Sequence, residues 1–286
     1  MSLDNLQKLG VVIVGHVDHG KSPLIGRLLH DTGSFMEGKL EELKAVCERR
    51  NVPFEWSFLL DAFQAERDQA ITIDTTQIWF KTKTRNCVII DAPGHREFLK
   101  NMVSGAAFAD AAILVVDAKE GVREQTKRHA YLLHLLGLQQ ILVVINKMDL
   151  VDYSEERFNE VTSEVKTYLA GIGVTPHSIM PIAARNGENI AARAESMPWY
   201  KGPTVLETMD IFEPVSAPVE RPLRFPVQDV YRWDETRIIA GRIESGVVRK
   251  GDTLTFSPSN RQAKVVSIEK WNSKTEILTA QAGESI

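Results

Sequence analysis

Gly15-His16-Val17-Asp18-His19-Gly20-Lys21-Ser22 constrains the fold of this chain more than any other stretch. It has the G-x-x-x-x-G-K-S spacing of a phosphate-binding loop. An apolar run, Val11-Val12-Ile13-Val14, leads into it, and Leu24-Ile25-Gly26-Arg27-Leu28-Leu29 follows with helical spacing. Strand, glycine-rich turn and helix is the setting such a loop needs. N–H groups of the turn, from Asp18, His19 and Gly20 onward, and of the helix N-terminus would cradle a triphosphate. Lys21 would reach the β- and γ-phosphates, and the Ser22 hydroxyl would ligate Mg²⁺. Pro23 breaks the pattern, because it has no N–H to offer where the loop would donate once more.

From residue 8 to 210, short apolar runs alternate with helical patterns. Strands are expected at Val11–Val14, Gln77–Lys81, Cys87–Ile90, Ala112–Val116, Ile141–Ile145 and Ile179–Ile182. Most are continuously apolar, as strands covered on both faces should be. Gln77–Lys81 is more mixed and is placed at an edge. Helices are expected near 21–30, 97–108, 123–136, 154–171 and 204–211, and Glu37–Arg50 reads as an amphipathic helix through Leu40, Leu43 and Cys47. The pattern predicts an α/β fold with a doubly wound, mostly parallel sheet over residues 1–211.

Residues 212–221 form a proline-rich linker that runs into Pro222. Beyond it the period changes. Leu223–Val230, Arg237–Ile243, Thr253–Phe256 and Ala263–Ile268 are strand-like, with turns at Ser245-Gly246 and Lys250-Gly251-Asp252. Residues 222–286 therefore read as a small antiparallel β-barrel domain. The sequence stops inside a strand pattern, at Ser285-Ile286, so the barrel reads as incomplete and the chain as a fragment of a longer protein.

A phosphate loop alone does not choose a base. Asn146-Lys147-Met148-Asp149, after the strand Ile141–Ile145, makes that choice. The Asp149 carboxylate can accept both N1–H and the exocyclic N2 amine of guanine, and adenine offers neither. Asn146 can donate to N7, and the Lys147 stem can cover the base face. Asp91-Ala92-Pro93-Gly94-His95 follows Cys87–Ile90. Asp91 at a strand end can hold a water on Mg²⁺. Gly94 lets its N–H approach the γ-phosphate, and His95 is placed to orient or polarise an attacking water. Thr72, in Ile71-Thr72-Ile73-Asp74, is a second candidate protein ligand for Mg²⁺. The pattern therefore implies binding of GTP and GDP.

Composition narrows the surroundings. Hydrophobic residues make up 43% and charged residues 25% of 286 residues, and the net charge is −4. This balance gives no general drive toward nucleic acid or anionic membrane. No apolar run approaches a membrane span, and the first ten residues lack the marks of a signal peptide. The two cysteines, Cys47 and Cys87, read as free buried thiols. A cytoplasmic chain with no membrane partner is expected.

These motifs, in this order, resemble the translation-factor superfamily of GTPases. Two branches fit. Gln64-Ala65-Glu66-Arg67-Asp68-Gln69-Ala70-Ile71-Thr72-Ile73-Asp74 is similar both to the GTPase subunit of sulfate adenylyltransferase and to the elongation factor 1α group. So are Lys100–Ala106, Asn146–Val151 and Met197–Pro203. Val151–Glu156 and Asp117–Gln125 look more like the sulfate branch, and Pro222–Tyr231 at least as much like elongation factor 1α. The resemblance implies a Ras-like domain followed by a β-barrel. It implies that His95 assists hydrolysis and that Val17 and Ile71 form an apolar gate before it. In the base site the family carries Ser-Ala where this chain has Ala183-Ala184. The Ala184 N–H could still reach guanine O6, but the loop loses the support of a hydroxyl at position 183.

The chain also has Pro23 where the family has Thr, and Ala70 where it has Gly. Three readings follow. The leading one is a regulatory GTPase for sulfate activation, with a separate catalytic adenylyltransferase subunit as partner. The second is a carrier of aminoacyl-tRNA to the ribosome. The third is a scaffold that binds nucleotide weakly because of Pro23.

Overall fold

The computed structural model describes residues 8–34, 38–60, 77–82, 84–91, 109–214, 219–233, 236–270, 273 and 275–286. The chain divides into two compact units, Met1–Pro214 and Val215–Ile286.

The first unit is built on six strands: β1 (Lys8–Gly15), β2 (Gln77–Lys81), β3 (Asn86–Asp91), β4 (Ala111–Asp117), β5 (Gln140–Asn146) and β6 (Ser178–Pro181). Their order across the sheet is β2-β3-β1-β4-β5-β6. All pairings are parallel except β2 with β3. Among the described residues, helices α1 (Lys21–Asp31), α2 (Lys39–Arg50), α3 (Glu124–Leu135), α4 (Glu155–Gly171) and α5 (Val205–Ile211) accompany them. The helix expected near 97–108 lies outside the described residues. No helix among the described residues is long and apolar enough to cross a membrane.

Successive side chains of a strand point to opposite faces, and β1 shows how this builds two cores. Val11 and Ile13 pack on one face with Leu24, Ile25, Leu28 and Leu29 of α1 and Val205 and Met209 of α5. Val12 and Val14 pack on the other with Ala130 and Leu133 of α3 and Val161, Val165 and Leu169 of α4. Each such aliphatic side chain, wholly buried, contributes about 1.5–3 kcal/mol of transfer free energy. Covering on both faces explains why these strands read as unbroken apolar runs. At the β2 edge the period of two returns: Ile78 and Phe80 are buried, whereas Trp79 is half in water.

Local capping fixes two helix starts. Ser154 accepts the Arg157 N–H ahead of α4, and Thr204 and Glu207 exchange backbone hydrogen bonds as a capping box on α5. Cys47 and Cys87 are free and buried, and burial pushes the Cys87 thiol up to about 12.

In the second unit, β7 (Val227–Trp233) pairs antiparallel with β8 (Thr236–Gly241), β9 (Val247–Arg249) with β12 (Thr279–Gln281), and β10 (Thr253–Phe256) with β11 (Arg261–Lys264). A small core of Ile243, Val248, Ile268, Ala280 and Ala282 underlies them. Three strand bounds differ from the sequence pattern. β7 begins only after Pro226, whose missing N–H cannot join a ladder. β8 ends at Gly241, and β11 lies earlier than Ala263–Ile268 because its register is set by Thr253 opposite Lys264. The short strands β9 and β12 have too few residues for an alternating signal.

Candidate functional site

The loop after β1 turns through Asp18 and Gly20, both with positive φ (65° and 92°). Gly20 caps α1, and a Cβ there would run into the Asn146 amide. The first hydrogen bond of α1 is donated by the Leu24 N–H to the Gly20 carbonyl at 3.1 Å. Pro23 thus occupies a position whose N–H would have no acceptor inside the helix, and the proline fits without breaking a bond. Lys21 Nζ donates to the Gly15 and His16 carbonyls, both at 2.9 Å. The Ser22 hydroxyl makes no hydrogen bond among the described residues. Val17 is half-buried.

The base-recognition segment is wired directly to this loop. Asn146, buried at the end of β5, donates from Nδ2 to the His19 carbonyl at 2.9 Å. That bond takes one of the two N–H groups of the amide. Asn146 Oδ1 accepts the Ala184 N–H at 3.0 Å. The N–H expected at guanine O6 is therefore held by Asn146 here, and an O6 contact requires it to be shared or released. Met148–Val151 forms a 3-10 turn, anchored by the Met148 N–H on the Ile182 carbonyl at 3.2 Å. Asp149 lies on that turn, half-buried, with no hydrogen bond or ion pair among the described residues.

Lys147 has φ of 65° and reaches Asp117 at the end of β4, Nζ to Oδ2 2.8 Å. Asp117 Oδ1 accepts the Lys119 and Glu120 N–H groups at 2.7 and 3.0 Å. Burial alone would raise this carboxyl, but the Lys147 ammonium and those two N–H groups outweigh it and hold it below its ordinary value. The ion pair fixes the Lys147 stem. Asp117 was not singled out in the sequence, yet the signal was there. It ends an apolar strand as Asp91 and Asn146 do, and it lies opposite Asn146 in the parallel register.

Residues 7–215 match the family of the elongation factor Tu GTP-binding domain. The chain belongs to that family. Elongation factor 1-alpha of Thermococcus kodakarensis is 44% identical over 268 residues, covering 91% of this chain and 62% of the relative. That of Thermoplasma acidophilum is 42% identical over 284 residues, covering 97% and 66%. The chain thus spans about two thirds of the length of these relatives. A crystal structure of Sup35 complexed with GDP superposes with a TM-score of 0.54 at 28% identity, over 99% of this chain and 64% of that one. The chain is thus a member of the translation-factor GTPase superfamily, and the relatives named here are elongation factors 1-alpha.

Within this GTP-binding domain, a cluster of histidines backs the phosphate loop. His16 Nδ1 lies 3.1 Å from Gln125 Oε1, and the His16 and His19 rings meet edge to face at 5.1 Å. His19 is buried, its Nε2 3.5 Å from Glu120 Oε2 and its Nδ1 3.3 Å from the Val115 carbonyl. Burial drives the His19 pKa down, against the Val115 carbonyl and the Asp117 charge. His129 on α3 is pushed down to about 4 by burial and then by the charges of Lys21, His16 and His19.

Both rings are thus held neutral in the fold and take a proton more readily when unfolded. The unfolded chain binds the extra proton below its ordinary value near 6.5, so stability falls as pH drops from there toward 4. Urea midpoints are expected to show a loss of about 2 kcal/mol between pH 6.5 and 5 from His129 alone. His129→Gln should flatten that slope, and an unchanged slope would refute the assignment.

Of the remaining expected site residues of the GTP-binding domain, Ile71, Thr72, Gly94, His95 and the side chain of Asp91 lie outside the described residues, as does Ala70. The Asp91 backbone ends β3 opposite Ile13, two residues before the phosphate loop. Ala183 and Ala184 are buried beside Asn146. Trp199 is a packing anchor: its ring lies 5.3 Å from Phe158, and Nε1 donates to the Tyr153 carbonyl at 3.0 Å.

Proposed function

We propose that this chain is the GTP-binding and GTP-hydrolysing part of an elongation factor 1α-like protein, cytoplasmic, with aminoacyl-tRNA and the ribosome as partners. One observation carries the nucleotide reading. Asn146 ties the phosphate loop to the Ala183-Ala184 loop through one side chain, beside an Asp149 carboxylate with no protein partner among the described residues. A carboxylate left in that position matches the paired N–H donors of guanine. The relatives favour elongation factor 1α over the sulfate adenylyltransferase reading, which rests on the Val151–Glu156 and Asp117–Gln125 segments.

Mg²⁺ would be held by Ser22, with Thr72 and Asp91, an all-oxygen donor set that suits it. The unengaged Ser22 hydroxyl at the helix start fits that role. When bound, the ion neutralises charge on the β- and γ-phosphate oxygens. Lys21 would exchange the Gly15 and His16 carbonyls for those phosphates. His95 would polarise the attacking water, with Val17 and Ile71 as the apolar gate. Residues 1–211 form the nucleotide domain, 212–221 the linker and 222–286 the barrel domain.

Titration with GDP, GTP and ATP is expected to show guanine nucleotides bound and ATP not, and the GTP form is expected to retain charged tRNA. Retention of an adenylyltransferase catalytic subunit in place of tRNA would favour the sulfate reading. No GDP or GTP binding at millimolar concentration would leave the scaffold.

A further inference from the structure

In the loop that carries the Ala184 N–H, Ala183 ends at a methyl group and offers no side-chain hydrogen bond, while farther along the loop Asn186 Nδ2 donates to the Tyr153 hydroxyl at 3.0 Å. The loop's inner side is held by Asn146 Oδ1. Its outer side is held from a distant part of the chain: Trp56 Nε1 donates to the Arg185 carbonyl at 2.8 Å, across 129 residues of sequence. The indole is itself clamped. The Arg27 guanidinium lies over its face at 4.9 Å, the His30 ring is 4.8 Å away, and Phe54 meets it edge to face at 5.2 Å. Arg27 is in turn fixed by Asp31 at 2.7 Å.

One glycine is required by this packing: a Cβ on Gly26 would collide with the Trp56 backbone carbonyl. A Cβ on Gly187 would meet the Arg27 guanidinium, the end of a flexible side chain that can move aside. Gly187 also has φ of 81°, which favours glycine.

We infer that Trp56 is a positioning residue for guanine recognition: its indole N–H supplies the Ala183–Gly187 loop with the support that residue 183 lacks, and so sets how firmly the Ala184 N–H is presented to the base carbonyl. The inference rests on the guanine reading above. It separates two parts of base recognition. Asp149 reads the N1 and N2 edge from its own 3-10 turn. Trp56 acts only on the O6 edge, through Arg185.

Trp56→Phe keeps an aromatic ring against Arg27, His30 and Phe54 and removes the donor. With a fluorescent GDP analogue, the variant is expected to release nucleotide about 3- to 10-fold faster, the range for one neutral hydrogen bond. Discrimination between GDP and 6-thioguanosine diphosphate, which keeps N1–H and the N2 amine but has a weaker acceptor at C6, should shrink by a similar factor. Discrimination between GDP and IDP, which lacks only the N2 amine, should not change. A purely structural role for Trp56 would lower both ratios together or neither, and either result overturns the inference. If Trp56→Phe fails to fold, Arg27→Met, which unclamps the indole, is expected to give the same signature. Wild type that binds no GDP refutes the guanine reading and this inference with it. Wild type that binds GDP, with release from Trp56→Phe unchanged, refutes the inference alone.

Discussion

Pro23→Thr is expected to tighten GDP binding about 10- to 100-fold, measured by calorimetric titration at fixed Mg²⁺. The reason lies in the first turn of α1. Leu24 takes the Gly20 carbonyl, so a donor at position 23 has no acceptor within the helix. Such an orphan N–H is available to a ligand, here the α-phosphate by resemblance to the family. Proline removes it at no cost to the fold and at full cost to the complex. One hydrogen bond to a charged group contributes about 1.5–3 kcal/mol, which is the factor quoted. Threonine restores the donor and relieves the restriction that proline places on Ser22. The thermal midpoint without nucleotide should move little, because no internal bond is gained. Equal affinities for the two proteins would show that no phosphate contact is made from this position.

Asp149→Asn is expected to weaken GDP binding by about 30- to 5,000-fold. In the proposed complex the wild-type carboxylate would accept from N1–H and from the N2 amine. The amide offers one acceptor and turns an N–H toward a base edge that is itself all donor. Removing one partner of a charge-assisted pair costs about 2–5 kcal/mol. Xanthosine diphosphate carries a carbonyl at C2 where guanine has the amine, and its affinity should rise for the same variant. Comparing both nucleotides on both proteins checks this in one experiment. Unaltered preference for GDP in the variant would remove Asp149 from the site. The backbone of the turn should be unaffected, since it is held by the Met148 N–H on Ile182 and not by the Asp149 side chain.

The parts of this molecule legible in the sequence were those with a period or a fixed spacing. Val11–Val14 and Ala112–Val116 are apolar without interruption because helices cover both faces of β1 and β4, and their positions followed at once. The Asn146 and Asp149 spacing points to a guanine site because both ends of it are side-chain chemistry. Asp117 was missed because its role depends on its neighbour in the sheet, not in the chain: it meets Lys147 only once β4 and β5 are in register. Trp56 was missed for a related reason. Its partner is a backbone carbonyl at Arg185, and a carbonyl is the same in every residue. In the second unit, strands of three or four residues are shorter than the pattern that would reveal them.

The strand order has a consequence for synthesis. Outward from β1 on one side, the sheet adds β4, β5 and β6 in the order in which they leave the ribosome. Each arrival brings the next piece of the base site: Asp117 with β4, Asn146 with β5, and Ala184 just past β6. The phosphate loop is complete when α1 has emerged, long before any of them. A growing chain paused before β5 would hold the parts proposed to grip a triphosphate and neither Asn146 nor Asp149, the side chains proposed to choose its base. In the proposed reading, the guanine contacts begin with Asn146 and Asp149 after β5 and are completed only by the loop past β6, the last strand of the sheet to be made.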